Sequence, residues 1–364
     1  MIARPRLIPV VALLLISATA VLSTRTVAQK LNDDEALRSF AALHPIDAHV
    51  HVFKTSPALQ HFLEAENLTL LDILVVDDTL PYRKELQPQI DDSLNLVSSS
   101  RGHVFLCTTF DPFKFNGPNF ARDSEQQINR DFKNGAIAVK IWKNIGMEIK
   151  DSEGKYVLPD DPKLKPIYQD IADQKKTLLA HLAEPDLAWQ PLDPKVNPLS
   201  SYYIEHPQWH MLNKPGIPSK ETILKARDQV LAQNPNLRVV GVHLGSMEAD
   251  LDDLGRHLDL YPNFAVDTAA RMEYLMFGPT EKVRAFLLRY QDRVIYGTDL
   301  DLLATANSEE TIKDWKSTYV NDWKFFATDE KFEVEGHKVQ GLKLPPDVLE
   351  KIYRKNAQRW IKGL

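Results

Sequence analysis

The sequence predicts an α/β fold in which eight parallel strands and their connecting helices form a (β/α)₈ barrel. The first observation is a series of short runs rich in β-branched residues, each bounded by polar turn residues. The second is a helix-like pattern between most of these runs, for example in residues 162–174, 220–233 and 280–290. Strands that alternate with helices in a chain of 364 residues are typical of this architecture.

The predicted strands can be read in order along the chain. They are residues 46–52, 73–77, 103–110, 135–142, 177–182, 238–244, 264–268 and 293–299. An open doubly wound sheet is the competing architecture. No GxGxxG or Walker-type loop follows the first run, which weakens that alternative.

The N-terminal segment predicts a signal peptide, residues 1–28. Arg4 and Arg6 precede an apolar run over residues 7–22, and the short residues before Ala28 suit a signal peptidase. We expect cleavage near Ala28, export to the periplasm or the medium, and a single barrel domain in residues 29–364. An uncleaved membrane anchor is the alternative, although a bilayer span needs about 20 apolar residues.

Charge and cysteine content limit the classes of partner. The chain has a formal net charge of −6, and loss of the three leader arginines would make it −9. A chain this acidic, without a basic run, is a poor candidate for binding nucleic acid or an anionic membrane surface. Cys107 is the only cysteine, so an intramolecular disulfide and a four-cysteine zinc site are excluded. We expect a small-molecule substrate and no stable membrane insertion after cleavage; assembly into a homo-oligomer is open.

The stretch IDAHVH in the first strand places three titratable residues at alternate positions. Strict alternation would put Asp47, His49 and His51 on one face of the strand. Two neutral imidazoles on one face can direct their nitrogens at one metal ion. A half-exposed edge strand with polar residues facing water is the alternative.

Other titratable residues stand at the ends of later strands. His181 ends the fifth strand, His243 the sixth and Asp299 the eighth. Because the C-terminal ends of barrel strands share one mouth, we expect them to meet His49 and His51 there. Taken singly, each histidine could be a hydrogen-bonded core residue and Asp299 a helix cap.

Two further features surround the predicted mouth. Alternation in the fourth strand, GAIAVKIW, points Lys140 into the barrel at its C-terminal end. Long connections follow three strands, at residues 144–161, 184–219 and 301–346. The second holds His210 among aromatic residues and prolines, and it either packs as a cover or contacts the substrate directly.

These motifs resemble the amidohydrolase superfamily, and within it the branch of aminocarboxymuconate-semialdehyde decarboxylase-like metal-dependent hydrolases. The resemblance covers about residues 43–364 and rests on DAHVH, His181, His243, YGTDL and the C-terminal LPPDVLEKIYRKNAQRWI. It implies a TIM barrel of the metal-dependent hydrolase type. The ligands of one divalent ion that it implies are His49, His51, His181 and Asp299.

The implied ligand set is three imidazoles and one carboxylate, which suits zinc, with manganese or iron as alternatives. His243 would polarise a substrate carbonyl or relay a proton, and Asp299 would accept and pass on a proton. Lys140 would bind a substrate carboxylate or, if carbamylated, bridge a second metal ion. Arg271 would grip an anionic substrate, or form a structural ion pair with Asp267.

The predicted function is hydrolysis, with a metal-activated water attacking a carbonyl carbon of a lactone, ester or amide. The alternative is a metal-dependent lyase that decarboxylates a small aromatic or unsaturated carboxylic acid without oxidation, because that reaction needs the same ligands. A third hypothesis is a binding protein that retains the barrel but has no catalytic activity.

Overall fold

The structure is a computed structural model that describes residues 32–77 and 83–364, so the predicted signal peptide lies outside the described residues. Its strands are β1 (Ile46–Val52), β2 (Thr69–Ile73), β3 (Val104–Thr109), β4 (Ala136–Ile141), β5 (Thr177–Ala180), β6 (Arg238–Gly241), β7 (Phe264–Asp267), β8 (Val294–Ile295), β9 (Leu300–Leu302), β10 (Lys331–Val334) and β11 (His337–Gln340). The first nine form one parallel sheet in the order β8-β7-β6-β5-β4-β3-β2-β1-β9, and the last two form an antiparallel hairpin.

The sheet closes into a barrel because β8 and β9 are two parts of one eighth strand. β8 pairs with β7, and β9 pairs with β1. Between them, the Ala48 N–H donates to Tyr296 O at 3.0 Å and the Asp299 N–H donates to His49 O at 2.8 Å. The eighth strand therefore reaches β1 along its length, and the predicted (β/α)₈ barrel is confirmed.

Helices surround the barrel. They are Asp33–Ala41, Pro57–Ala65, Leu86–Ser99, Phe120–Lys133, Lys165–Asp173, Ser200–Glu205, Lys220–Gln233, Leu251–Leu260, Met272–Phe277, Thr280–Arg289, Ser308–Ala327, Pro346–Glu350 and Asn356–Trp360, with shorter helical turns at Asn144–Met147 and Val242–Gly245 and a π-helical turn at Lys351–Lys355. In residues 32–77 and 83–364, none of the helices has both the length and the apolar character needed to cross a bilayer.

Apolar residues pack in two layers, inside the barrel and between its strands and helices. The interior cluster takes one side of each strand, for example Ala48, Leu179 and Ile295. The last helix closes the end of the barrel opposite the site, because Trp360 and Ile361 belong to the interior cluster. Burial on both faces explains why the strands read as apolar runs.

Three strands differ from the expected bounds or alternation. The second strand is Thr69–Ile73 instead of 73–77, because the apolar run continues past the strand and residues 74–77 are buried outside it. In β1 the pairing register shifts between Asp47 and Val50. This β-bulge puts Ala48 and then His49 on the inner side, so Asp47 does not share a face with the two histidines. In β6, Val240 and Val242 belong to the interior cluster, so simple alternation would turn His243 away from the barrel interior.

Candidate metal centre

A cavity of about 630 Å³ opens at the C-terminal end of the barrel strands. The structure brings six of the predicted site residues to its wall. They are His49, His51, Lys140, His181, His243 and Asp299. Residues separated by up to 250 positions in the sequence therefore meet at one barrel mouth, where barrel enzymes carry their active sites.

Unusual backbone conformations direct two of these side chains into the cavity. His243 follows β6 with φ of +59°, and Asp299 lies between β8 and β9 with φ of +68°. Both values fall in the left-handed region, which costs a residue with a side chain roughly 1–3 kcal/mol. Such strain is typical of functional sites. Alternation along β6 would turn the His243 side chain away from the cavity, and the left-handed backbone at His243 turns it back toward the cavity.

Hydrogen bonds fix the tautomers of the histidines. His49 Nδ1 lies 2.8 Å from Asp267 Oδ2, His51 Nδ1 lies 2.6 Å from Ile73 O, and His243 Nδ1 lies 2.8 Å from Ala269 O. A carbonyl oxygen only accepts, and an ionised carboxylate only accepts, so each Nδ1 carries the proton. Each Nε2 of a neutral ring then presents a lone pair, the form that binds a metal.

His181 extends this pattern. Its Nδ1 lies 3.1 Å from His243 Nε2, which has no proton to donate, so His181 Nδ1 is the donor. His181 Nε2 is left as a buried lone pair with no hydrogen-bond partner in the described part of the chain. An unsatisfied buried acceptor of this kind requires an explanation, and a cation ligated there would supply one.

Acceptor atoms converge around Asp299. Asp299 Oδ1 lies 3.1 Å from His49 Nε2 and 3.2 Å from His51 Nε2. His49, His243 and Asp299 each offer a ligand atom, and these atoms lie within 4.8 Å of one another. The predicted ligand set differs from this group, because it includes His51 and His181 and leaves His243 beside the ion.

Burial and neighbouring charges shift the pKa values of these groups in different directions. Burial and Lys140 lower the pKa of His49, but Asp267 and Asp299 outweigh them and raise it overall. Burial, and then the proximity of His243, holds the pKa of His181 well below its usual range, and burial does the same for His243. Although burial opposes ionisation, His49 and His243 keep the pKa of Asp299 well below its ordinary value. Asp299 is therefore an ionised carboxylate in a cavity that also holds the neutral imidazoles of His181 and His243.

Lys140 adds a lysine side chain to the cavity wall. Its Nζ lies 3.3 Å from His49 Nε2, and its side chain is fully buried. Burial lowers the pKa of Lys140 to about 8, although Asp267 and Asp299 act in the opposite direction. A buried lysine with a lowered pKa can be an ammonium that binds an anion or an amine that reacts.

Two predicted substrate contacts lie outside the cavity wall. Arg271 Nε is 3.3 Å from Glu248 Oε2, and Arg271 forms an ion pair there instead of with Asp267. His210 Nε2 donates to Gln190 O at 2.8 Å, and the neighbouring His206 lines the cavity in its place. Spacing alone does not show which histidine of a long connection faces inward.

The structure also adds a wall of aromatic and cationic residues that the sequence reasoning missed. The Lys143 ammonium lies 4.2 Å from the ring centre of Trp209 and 5.3 Å from that of Trp142, and its ion-pair partner is Glu184. Tyr202 accepts a hydrogen bond from Lys143 at 3.3 Å. Trp142 and Lys143 directly follow β4, which is the one signal in the sequence that could have identified them.

The sequence matches the family model described as amidohydrolase over residues 138–362, which is more than half of the chain. This chain belongs to the amidohydrolase family. The resemblance stated from the motifs is therefore confirmed, and the chain is an enzyme of the amidohydrolase superfamily, whose members depend on metal ions. A search of curated proteins gave no match.

Solved structures support the fold of this amidohydrolase. It is similar to an uncharacterised TIM-barrel protein from Bordetella bronchiseptica, with a TM-score of 0.52, 14% identity, and coverage of 87% of this chain and 97% of that chain. It is also similar to 2,6-dihydroxybenzoate decarboxylase from Rhizobium, with a TM-score of 0.51, 13% identity, and coverage of 87% and 98%. A third is a dihydroxybenzoic acid decarboxylase from a Polaromonas species with bound manganese and the inhibitor 2-nitroresorcinol, with a TM-score of 0.52, 11% identity, and coverage of 87% and 96%.

The donor atoms of this amidohydrolase fit a divalent ion. With Nδ1 as the donor, His49, His51 and His181 can present Nε2 to an ion, and the Asp299 carboxylate is ionised. This is a nitrogen-rich set suited to zinc, manganese or iron. Asp267, which we expected to be structural, orients His49 through Nδ1. This carboxylate–histidine arrangement is the usual support behind a metal ligand.

Proposed function

We propose that this chain is a metal-dependent hydrolase that uses one divalent ion, with zinc favoured, to attack a carbonyl carbon of a lactone, ester or amide with water. The observation that carries the proposal is the convergence of lone pairs from His49, His51 and Asp299 at 3.1–3.2 Å. Acceptor atoms facing one another at this distance are stabilised when a cation lies between them.

A bound ion would act as a Lewis acid and would lower the pKa of water to about 7. Asp299 would take the proton released from water, since its carboxylate is ionised and faces the cavity. A carboxylate with a lowered pKa holds a proton only briefly, so Asp299 would pass this proton to the leaving group. His243 has its proton on Nδ1 and its Nε2 accepts a hydrogen bond from His181, so this Nε2 could stabilise an oxyanion only after taking up a proton.

Lys140 in the cavity wall favours a substrate with negative charge. Lys140 would bind a substrate carboxylate as a point charge, whereas the charge of Lys143 is already compensated by Glu184. Carbamylation of Lys140 and a second ion remain the alternative, and it would need the uncharged amine that burial favours. Arg271 is paired with Glu248 and Lys143 with Glu184, so the predicted role of anion binding rests on Lys140.

The second candidate is decarboxylation of a small aromatic or unsaturated carboxylic acid. Trp142, Tyr202 and Trp209 line one side of the cavity, which suits a planar ring next to a lysine. Two similar structures are named as decarboxylases of dihydroxybenzoic acids. We favour hydrolysis over decarboxylation because hydrolysis requires only Asp299 and a water nucleophile at the centre.

The test starts from the purified chain stripped of metal with a chelator. We expect activity to be lost and to return on adding Zn²⁺, Mn²⁺ or Fe²⁺ singly. A panel of lactones, esters, amides and aromatic carboxylates should then be assayed for ring opening or acid release and, in parallel, for CO₂. Full turnover in a verified metal-free preparation would refute the proposal. CO₂ release alone would select the lyase, and tight binding without turnover would select a binding protein.

We further propose that the chain is exported and loses its leader. This rests on Arg4, Arg6 and the apolar run before Ala28. Expression in a Gram-negative host followed by mass determination of the periplasmic protein should give a mature chain that begins near residue 29. A chain of full length in the membrane fraction would support the anchor instead.

A further inference from the structure

The Asp47 carboxylate lies outside the cavity, on the face of β1 that the β-bulge turns away from it. It is fully buried and accepts four hydrogen bonds. Its Oδ1 accepts from the N–H of His49 at 3.1 Å and from the N–H of Thr298 at 3.0 Å. Its Oδ2 accepts from Thr298 Oγ1 at 2.6 Å and from Tyr319 Oη at 2.7 Å.

Three of these donors belong to the two strands that close the barrel. His49 on β1 carries one of the converging Nε2 atoms, and Thr298 precedes Asp299, which carries the converging oxygen. Thr298 Oγ1 also accepts from the Leu300 N–H at 3.2 Å, so both neighbours of Asp299 are held. The left-handed φ of Asp299 persists only where its surroundings over-determine it.

The fourth donor brings the outer layer of helices into the same arrangement. Tyr319 lies in the helix Ser308–Ala327, within the long connection that follows β9. Its ring stacks on Phe40 of the helix Asp33–Ala41, with ring centres 5.2 Å apart. This part of the connection therefore supports the centre from outside the barrel instead of covering its mouth.

We propose that Asp47 is a positioning residue that holds His49 and the Thr298–Asp299 turn in the geometry that binds the divalent ion. This inference rests on the proposed function, because it concerns the same centre. Asp47 does not line the cavity. Its effect passes through three hydrogen bonds to His49 and Thr298, which belong to the centre or adjoin it. Loss of support of this kind typically weakens metal affinity about 10–100-fold.

The test measures Co²⁺ affinity of the metal-stripped full chain by competition with a chromogenic chelator. We expect Asp47→Ala to weaken Co²⁺ binding about 10–100-fold and to change the visible absorption of the bound ion. Asp47→Asn retains an oxygen for the two backbone N–H groups and should recover most of the affinity. A purely structural residue would lower the melting temperature without this recovery pattern.

Asp322 offers a matched control. It is a buried carboxylate in the same helix as Tyr319, and it accepts a hydrogen bond from Tyr296 Oη at 2.7 Å, away from the cavity wall. We expect Asp322→Ala to lower the melting temperature while Co²⁺ affinity stays within threefold of the wild type. An Asp47→Ala affinity within threefold of wild type, or an equal loss in Asp322→Ala, would overturn the proposal.

Two further variants keep the inference testable if Asp47→Ala does not fold. Thr298→Val and Tyr319→Phe each remove one side-chain donor to Asp47, and we expect both to weaken Co²⁺ binding. If both fold and bind Co²⁺ as tightly as the wild type, the inference fails. Failure of the wild type itself to bind Co²⁺ would instead refute the proposed function.

Discussion

Asp267 accepts a hydrogen bond from His49 Nδ1 at 2.8 Å, beneath the cavity. Its other oxygen accepts the backbone N–H of His243 at 2.7 Å and of Ala269 at 3.2 Å. One buried carboxylate therefore sets the tautomer of His49 and the backbone position of His243. A partner that fixes both ring and backbone is expected to control the affinity of the centre for a metal.

We expect Asp267→Asn to weaken Zn²⁺ binding about 10–100-fold, because an amide N–H directed at His49 Nδ1 would move the ring proton to Nε2. The measurement is Zn²⁺ competition with a chromogenic chelator. Asp228→Asn is the control, since Asp228 bonds to His257 at 3.1 Å in an aspartate–histidine pair that does not line the cavity. Equal Zn²⁺ affinity in the two variants would contradict the role given to Asp267.

The arrangement of the candidate site follows largely from barrel geometry. His181, His243 and Asp299 stand at strand ends, and parallel strands in a barrel bring such ends to one mouth whatever their separation in the chain. What the sequence could not show is the local backbone. The β-bulge in β1 adds a residue and so breaks the alternation from which side-chain directions are predicted. The left-handed backbone at His243 and Asp299 could not be predicted either, because neither position is a glycine.

Long-range partners were also beyond prediction. Asp267 and Arg271 are four residues apart, which suggested an ion pair, but their partners are His49 and Glu248. The buried pair of Lys143 and Glu184 joins the ends of two adjacent strands, and nothing in either segment identifies the other. Pairing between buried charges depends on which side chains the packing leaves facing each other, and that is fixed only in three dimensions.

Gly297 marks a place where the backbone of the eighth strand approaches β1. A Cβ added there would lie 2.9 Å from His49 Cβ, so the backbone of either the eighth strand or β1 would have to shift. We expect Gly297→Ala to displace His49 and to lower activity at saturating metal by about tenfold or more, since a misplacement of about 1 Å can cost 100-fold. Overpacking should also lower stability by about 1–3 kcal/mol.

The comparison for Gly297→Ala is Gly255→Ala, where the added Cβ would lie 2.7 Å from Tyr290 Oη, away from the cavity wall. Thermal unfolding should show a loss of stability in both variants. Steady-state assays should show a loss of activity only in Gly297→Ala. Equal activity in the two would mean that His49 tolerates the contact.

Lys143 and Glu184 form a buried ion pair, with about 5% and 6% of their side chains exposed. Removing one partner leaves the other charge unpaired in the interior, which typically costs about 3–5 kcal/mol. We therefore expect Lys143→Met to be strongly destabilised, and the double variant Lys143→Met/Glu184→Gln to recover most of the loss. Urea unfolding of both single variants and the double variant measures the coupling. Additive losses in the double variant would show that the two charges do not depend on each other.

Asp322 is expected to make stability depend on pH. Burial raises the pKa of Asp322 from 3.8 to about 7, although the hydrogen bond from Tyr296 acts in the opposite direction. The folded chain therefore binds a proton more tightly than the unfolded chain, so the free energy of unfolding should fall as pH rises between about 4 and about 7. A shift of this size corresponds to at most roughly 4 kcal/mol.

Asp322→Asn removes the titration, so its unfolding free energy, measured in urea at about pH 5 and about pH 8, should change less than that of the wild type. Asp314→Asn, on the exposed side of the same helix, should retain the wild-type change, and the same pH dependence in both variants would show that Asp322 does not carry it.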